Sequence, residues 1–148
     1  MKIAVGSDHA GYALKKQVVD YLTELGHEVQ DFGTYKEESC DYPDYAYAAA
    51  LAVSNGEADR AIVICRTGIG VSIVANKVNK IRCSLVGSVE DAVLTREHND
   101  SNALALSAKN TPISLAKEII DAWLVTEFLG GRHLNRVNKI DILCEISG

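Results

Sequence analysis

The sequence predicts a single α/β domain over residues 1–148, with a five-stranded parallel sheet in a Rossmann-like three-layer sandwich. Short apolar runs alternate about five times with segments of helical periodicity, and this is the order that successive βαβ units produce. Hydrophobic residues make up 47% of the chain and charged residues 24%, which is an ordinary globular balance. A chain of 148 residues can therefore bury one core without disulfides.

Five short apolar segments are predicted to be strands, and their near-continuous apolar character is typical of strands buried on both faces. They cover residues 2–6, 27–32, 60–65, 81–86 and 103–106. Parallel strands bring their carboxyl ends to one edge of a sheet, so the loops that follow them are the expected place for a ligand.

Six segments are predicted to be helices because their apolar residues recur with a period near 3.6. They cover residues 12–25, 45–54, 70–80, 90–97, 114–126 and 133–146. Residues 33–44 are predicted to form a loop and residues 98–102 a polar turn. The last helix follows a Gly-Gly pair after the α/β pattern is complete, and it is predicted to reach a partner subunit.

The composition narrows the function classes. A net charge of −5 argues against nucleic acid or an anionic membrane as a partner. No apolar run approaches the roughly 20 residues that span a bilayer, and residues 1–30 carry no signal-peptide pattern, so a cytoplasmic protein is expected.

The cysteines, which are expected to be free thiols, are Cys40, Cys65, Cys83 and Cys144. No cluster has metal-ligand spacing, and neither a metal nor another cofactor is expected.

The segment Ala61–Val78, AIVICRTGIGVSIVANKV, reads as a buried strand, a glycine loop and a helix N-terminus. Its TGIG sequence matches neither GxGxxG nor a P-loop and could be only a tight turn. Free N–H groups at a helix N-terminus can instead bind an anion or stabilise a developing oxyanion. Cys65 lies beside this loop, where its thiolate is favoured, so it is a candidate base or nucleophile.

Other candidates each have an ordinary structural alternative. Asp8 and His9 follow the first strand and could be a helix cap and turn, or an acid–base carboxylate and an imidazole. His98 could be a hydrogen-bonding histidine or a proton-transfer group. Arg132 and Arg136 are spaced i, i+4 and could form a solvated face or clamp a phosphate. Together these residues fit proton transfer on a small phosphorylated carbonyl compound.

Five blocks of the sequence carry a resemblance to a known family. They are GSDHAGYALK at 6–15, DYPDYA at 41–46, CRTGIGVSIVANKV at 65–78, REHNDSNALAL at 96–106 and EFLGGRHLNRV at 127–137. In these blocks the chain resembles the type B ribose-5-phosphate isomerases, in the family that also holds the galactose-6-phosphate isomerase subunits. The resemblance covers essentially the whole chain.

This resemblance implies a metal-free aldose–ketose isomerase that interconverts ribose 5-phosphate and ribulose 5-phosphate through an enediolate. Cys65 would be the base that moves a proton between C2 and C1, and Thr67 would assist it. His98 would open the furanose ring, and Asp8 would move protons between the sugar oxygens. The backbone amides implied to form the anion hole belong to Arg66, Thr67, Gly68, Ile69 and Gly70.

The resemblance also implies the remaining substrate contacts. His9, Arg132 and Arg136 would hold the phosphate, while Tyr42 and Asn99 would contact sugar hydroxyls. The two arginines would come from the neighbouring subunit, which implies a homodimer, or a tetramer built from dimers, with shared active sites.

The sequence departs from the family pattern at two positions. Arg66 replaces a loop glycine, which costs about 1–2 kcal/mol if that position has a positive φ and otherwise only adds a bulky cation near the site. Lys109 stands where a phosphate-contacting arginine is common, and lysine keeps the charge without the bidentate geometry. Both changes bear on the substrate more than on the type of reaction.

Three alternatives stay open from the sequence. The substrate could be a six-carbon sugar phosphate such as galactose 6-phosphate or allose 6-phosphate. The protein could bind a sugar phosphate without catalysis, with Arg66 having disabled the loop. A nucleotide-binding module is a further alternative, although the chain lacks GxGxxG and a suitably spaced acidic residue.

Overall fold

The computed structural model describes residues 1–145, which contain one five-stranded parallel sheet with the strand order β2-β1-β3-β5-β4. The strands are β1 (Lys2–Ser7), β2 (Glu28–Asp31), β3 (Arg60–Cys65), β4 (Cys83–Leu85) and β5 (Ala103–Ser107). Each neighbouring pair is parallel, and β3 lies at the centre of the sheet between β1 and β5. The predicted parallel α/β sheet is therefore confirmed.

Helices cover both faces of this sheet. They are α1 (Tyr12–Glu24), α2 (Tyr42–Ser54), α3 (Ile69–Asn76), α4 (Val89–Asn99), α5 (Ile113–Val125) and α6 (Arg132–Leu143). Because side chains alternate along a strand, Ile62 and Ile64 of β3 pack against α1 and α5, whereas Val63 and Cys65 face α2 and α3. Within residues 1–145 no helix is long and apolar enough to cross a membrane.

Small residues bring α2 close to the sheet. Ala46, Ala49 and Ala50 of α2 are fully buried against the sheet face that carries Ala4. A Cβ at Gly6 of β1 would lie only 2.6 Å from the carbonyl oxygen of Tyr45, so the approach requires glycine there. Since α2 runs antiparallel to the strands, its first residues lie at the carboxyl edge of the sheet.

Several element boundaries differ from the prediction. Helix α2 begins at Tyr42 instead of residue 45, because Pro43 fits the first turn of a helix. Helix α3 ends at Asn76 instead of residue 80, and the Asn76 side chain bonds the backbone N–H and carbonyl of Cys83 at 2.8 and 3.0 Å. These bonds and the positive φ of Lys80 make the following residues a turn and shorten β4.

The predicted turn at residues 98–102 is wrong for His98 and Asn99, which form the end of α4. Arg96 closes this last turn, because its Nη1 donates to Asp100 Oδ1 and to the carbonyl of Ser101, each at 2.7 Å. Helix α6 begins at residue 132 instead of 133 and ends at residue 143. Ile146, which was predicted to end that helix, lies outside the described residues.

Candidate active site

A cleft of about 430 Å³ opens where β1 and β3 end. The chain leaves β1 to form β2 on one side and then crosses to form β3 on the other, so this is the topological switch point of the sheet. The two strand ends are joined by a hydrogen bond from the Asp8 N–H to the Ile64 carbonyl at 3.3 Å. The lining residues are Asp8, Tyr42, Cys65, Arg66, Thr67, Ile69, Gly70 and Ile73.

Cys65 ends β3 at the base of this cleft and is 6% exposed. Its carbonyl accepts a hydrogen bond from the Ala108 N–H at 2.9 Å, which fixes the strand end to the chain that follows β5. The thiol is thus held on a rigid element directly before the N-terminus of α3. Burial raises the pKa of the Cys83 thiol to about 12, so that cysteine stays protonated at neutral pH.

In the part of the chain that the structure describes, the loop after Cys65 presents backbone amides that are mostly unpaired. Gly68 caps α3 with φ 77°, and a Cβ there would lie 2.5 Å from Leu85 Cδ1 and 3.0 Å from the Leu106 carbonyl carbon. The Thr67 hydroxyl accepts a hydrogen bond from the Ile69 N–H at 3.2 Å. Apart from that bond, the amides of residues 66–71 find no acceptor within residues 1–145, so they can bind an anion.

Arg66 adopts this loop conformation without backbone strain, because its φ is not positive. Its carbonyl accepts hydrogen bonds from the Lys109 N–H at 2.9 Å and from the Ser107 hydroxyl at 3.0 Å. These bonds tie the loop to the end of β5 and to the turn that follows it, and the exposed Arg66 side chain is left to line the cleft. Lys109 supports the site through its backbone, while its side chain is exposed.

Asp8 and Tyr42 border the thiol from neighbouring elements. The carboxylate of Asp8 is 7% exposed, and its Oδ1 accepts a hydrogen bond from the Gly11 N–H at 3.0 Å. Asp8 therefore closes the turn before α1, whose N-cap is Gly11 itself. The Tyr42 ring packs on Gly70, where an added Cβ would lie 2.5 Å from the tyrosine Cε1.

His9 has a defined tautomer. Its Nδ1 accepts a hydrogen bond from the Cys40 backbone N–H at 3.1 Å, which leaves Nε2 as the protonated donor nitrogen. The sequence did not reveal this contact, because Cys40 lies 31 residues further along the chain.

The other predicted residues lie elsewhere in the chain. Helix α4 runs back from the carboxyl edge for 11 residues, or about 16 Å, so His98 and Asn99 lie toward the amino edge. Neither lines the cleft that contains Cys65. Arg132 and Arg136 are exposed on α6, which packs beside α4. The structure thus separates the predicted residues into a cysteine group and a histidine group.

His133 joins the histidine group, although it is not among the residues predicted from the sequence. Its ring stacks on that of His98 with a centroid separation of 4.4 Å. Burial lowers the pKa of His133, and the positive charges of His98, Arg132 and Arg136 lower it further. The signal available in the sequence was the position of His133 between two arginines that were already candidates.

A larger depression of about 930 Å³ lies between β4 and the end of α6, away from the thiol. Arg82 lines it, but both Nη1 hydrogen bonds of this arginine go to the Asp141 carboxylate at 3.0 Å. The smaller cleft is therefore the better candidate for chemistry. In the described part of the chain, no three or more His, Cys, Asp or Glu residues are grouped so that they could hold a metal ion.

The fold and the cleft define a doubly wound α/β protein with a thiol and an anion-binding loop at its switch point. The chain belongs to the ribose/galactose isomerase family, whose sequence model matches residues 3–140. This finding confirms the family resemblance of the five sequence blocks.

Individual relatives agree with this assignment. The chain is 49% identical over 139 residues to ribose-5-phosphate isomerase B of Escherichia coli, covering 94% of this chain and 93% of that protein. The structure of Clostridium thermocellum ribose-5-phosphate isomerase B superposes with a TM-score of 0.95 at 52% identity, covering 97% of both chains. The structure of Mycoplasma genitalium ribose-5-phosphate isomerase B with bound ribulose-5-phosphate superposes with a TM-score of 0.92 at 38% identity. The superposition covers 96% of this chain and 95% of that one.

Proposed function

We propose that this protein is an aldose–ketose isomerase that interconverts ribose 5-phosphate and ribulose 5-phosphate. The observation that carries the proposal is the placement of the Cys65 thiol beside the loop amides of residues 66–71, at the switch point of the sheet. Within residues 1–145 these amides find no acceptor except for the Ile69 N–H, which bonds the Thr67 hydroxyl. An enediolate reaction needs a base and a stabilised oxyanion, and these two features lie together in one cleft. The names of the ribose-5-phosphate isomerase relatives support the same substrate.

In the proposed reaction the Cys65 thiolate removes the proton from C2 of the open-chain aldose. The C2–H electron pair forms the C1–C2 double bond, and the carbonyl electrons move to O1. Asp8 moves the proton of O2 to O1, and the thiol returns its proton to C1 to give the ketose. The amides of the 66–71 loop stabilise the anion, and Thr67 holds the loop through its bond to Ile69.

We further propose that a second copy of the chain completes each site. His98 and Asn99 point to this arrangement because they lie toward the opposite edge of the sheet from Cys65 in their own protomer. The rim of the cleft is apolar and uncovered, with Ile69 53% and Ile73 54% exposed. Such side chains are typical of a surface that another protomer buries.

In this homodimer, or in a tetramer made of two such dimers, α6 would supply Arg132 and Arg136 to the partner's cleft. They would bind the substrate phosphate together with the Nε2–H of His9. His98 would open the furanose ring, while Asn99 and Tyr42 would contact hydroxyl groups. Covering the cleft with the partner also excludes water from the enediolate.

The main alternative is a six-carbon sugar phosphate. Ribose 5-phosphate is favoured by the names of the relatives, and the unstrained backbone of Arg66 argues against a disabled loop.

The reaction is proposed to need no metal, and the protein is proposed to act in the cytoplasm. Four-, five- and six-carbon aldose phosphates assayed side by side would rank the substrates directly.

Turnover of ribose 5-phosphate by the purified protein tests the proposal. We expect conversion to ribulose 5-phosphate at the same rate before and after EDTA treatment. Cys65→Ala should lower kcat by at least about 10²-fold, which is the scale of a lost general base, while binding of ribitol 5-phosphate is retained. Cys144→Ala, which changes an exposed thiol, is the matched control and should leave the rate unchanged. Full activity of Cys65→Ala would place the base elsewhere.

A further inference from the structure

We propose that the guanidinium of Arg66 is the ionic partner of the enediolate, a role that rests on the proposed isomerase function. Within the described residues 1–145, the side chain of this arginine forms no hydrogen bond or ion pair with the protein. In residues 1–145, the arginines whose side chains form hydrogen bonds to the protein are Arg60, Arg82 and Arg96. The arginines without such a bond are Arg66, Arg132 and Arg136, and Arg66 is the one that lines the cleft with the thiol.

The charges around the cleft favour an anion partner for this side chain. Asp8 is a carboxylate, Cys65 must be a thiolate to act as base, and the enediolate adds further negative charge. Among the described residues that line the cleft, Arg66 is the only cation. A positive charge at this place offsets repulsion that would otherwise rise as the reaction proceeds.

The backbone of Arg66 is fixed close to the reacting atoms. Arg66 directly follows the proposed base, so the two Cα atoms are about 3.8 Å apart. The hydrogen bonds from Lys109 and Ser107 to its carbonyl hold the backbone, and only the side chain can adjust to the substrate. The loop therefore offers neutral amide donors and an exposed guanidinium at the same strand end.

The shape of the guanidinium matches the intermediate. A cis-enediolate is planar and carries two adjacent oxygens, which a planar fork of N–H donors can bind in a bidentate manner, as it binds a carboxylate. The phosphate end already has His9 and the partner's α6 arginines in the proposed assembly. Arg66 is thus assigned to the C1–C2 end of the sugar.

Two ligands that carry the same terminal phosphate distinguish a role of Arg66 at the C1–C2 end of the sugar from a role at the phosphate. One is a four-carbon hydroxamate with a terminal phosphate, which mimics the planar enediolate; the other is ribitol 5-phosphate, which lacks that anion. Arg66→Gln should weaken hydroxamate binding by about 10-fold or more and ribitol 5-phosphate binding by less than about 2-fold. The same variant should lower kcat by a similar factor with little change in KM, and Arg66→Lys should recover part of this loss.

Lys77→Gln is the matched control, because it removes an exposed cation at the other end of α3. It should leave both affinities and kcat unchanged. Equal losses for the two ligands on Arg66→Gln would reassign Arg66 to the phosphate, and unchanged or higher activity would overturn the proposal. If the unmodified protein fails to isomerise ribose 5-phosphate, the proposed function itself fails, which is a different result.

Discussion

The imidazole rings of His98 and His133 stack with their centroids 4.4 Å apart and their planes inclined by 16°. This contact joins the last turn of α4 to the first turn of α6. It joins the proposed ring-opening histidine to the helix that carries Arg132 and Arg136. Burial lowers the pKa of His133, and the repulsion between two stacked imidazoles lowers it further.

The lowered pKa of His133 predicts a pH-dependent stability. The unfolded chain has the ordinary histidine pKa of 6.5, so on acidification it takes up the proton before the folded state does. The stabilising contribution is complete above pH 6.5 and is lost as the pH falls below it. The nearby Glu97 raises the pKa and opposes the effect without cancelling it.

Urea denaturation at pH 7.5 and pH 5.5 measures this contribution. Between pH 7.5 and pH 5.5, the urea concentration at the unfolding midpoint should fall further for the wild-type protein than for His133→Gln. The glutamine side chain of the variant does not titrate. An identical loss in both proteins would mean that His133 is not responsible for it.

A shared active site predicts complementation between two inactive variants. In a mixed dimer of Cys65→Ala and His98→Ala, one site carries both substitutions and the other carries neither. Random pairing on co-expression should therefore restore about a quarter of wild-type activity. Activity no higher than that of the separate variants would place the complete site within one protomer.

The matched control pairs Cys65→Ala with Asp8→Asn. These residues line the same cleft in one protomer, so every site of the mixed dimer lacks one of them. No recovery is expected from this pair, and recovery would show that the rescue does not depend on the geometry proposed here.

Gly68→Ala should damage both the fold and the anion-binding loop. The positive φ of 77° costs about 1–2 kcal/mol for a residue with a Cβ, and that Cβ would press on the Leu106 backbone. A lower urea midpoint and a reduced kcat are expected together. Gly87→Ala is the control, since nothing lies within 4 Å of its added Cβ and its stability should change by less than about 0.5 kcal/mol.

Lys15→Met tests a buried ion pair beside the site edge. The Lys15 side chain is 1% exposed, and its Nζ lies 2.6 and 2.7 Å from the two Asp31 oxygens, with the Tyr35 ring centroid 5.3 Å away. Removing the cation leaves a partly buried carboxylate, so we expect a loss of about 3 kcal/mol in the free energy of unfolding.

The double variant Lys15→Met/Asp31→Asn should recover much of that loss, because it removes both charges. Lys16→Met, on the exposed side of α1, should change the unfolding free energy by less than about 0.5 kcal/mol. Equal losses for the Lys15 and Lys16 variants would show that the ion pair does not stabilise the fold.

Local chemistry made the central segment predictable. An apolar run ending in Cys65, a glycine loop and a periodic segment encode β3, its following turn and α3 over consecutive residues, and the structure has all three. The positive φ at Gly68 is also a local property of the sequence, because glycine adopts that conformation most easily. The predicted turn at His98 failed because the Arg96–Asp100 contact that extends α4 depends on side-chain geometry.

The sequence by itself determined the parallel α/β class, the family and the candidate residues, because periodicity and short motifs are local properties of the chain. Only the tertiary structure decided which candidates meet. It placed Asp8, Tyr42 and the Cys65 loop in one cleft and moved His98 toward the other edge, because α4 runs antiparallel to the strands. Contacts such as Cys40 with His9 join residues far apart in sequence and arise only when the chain packs.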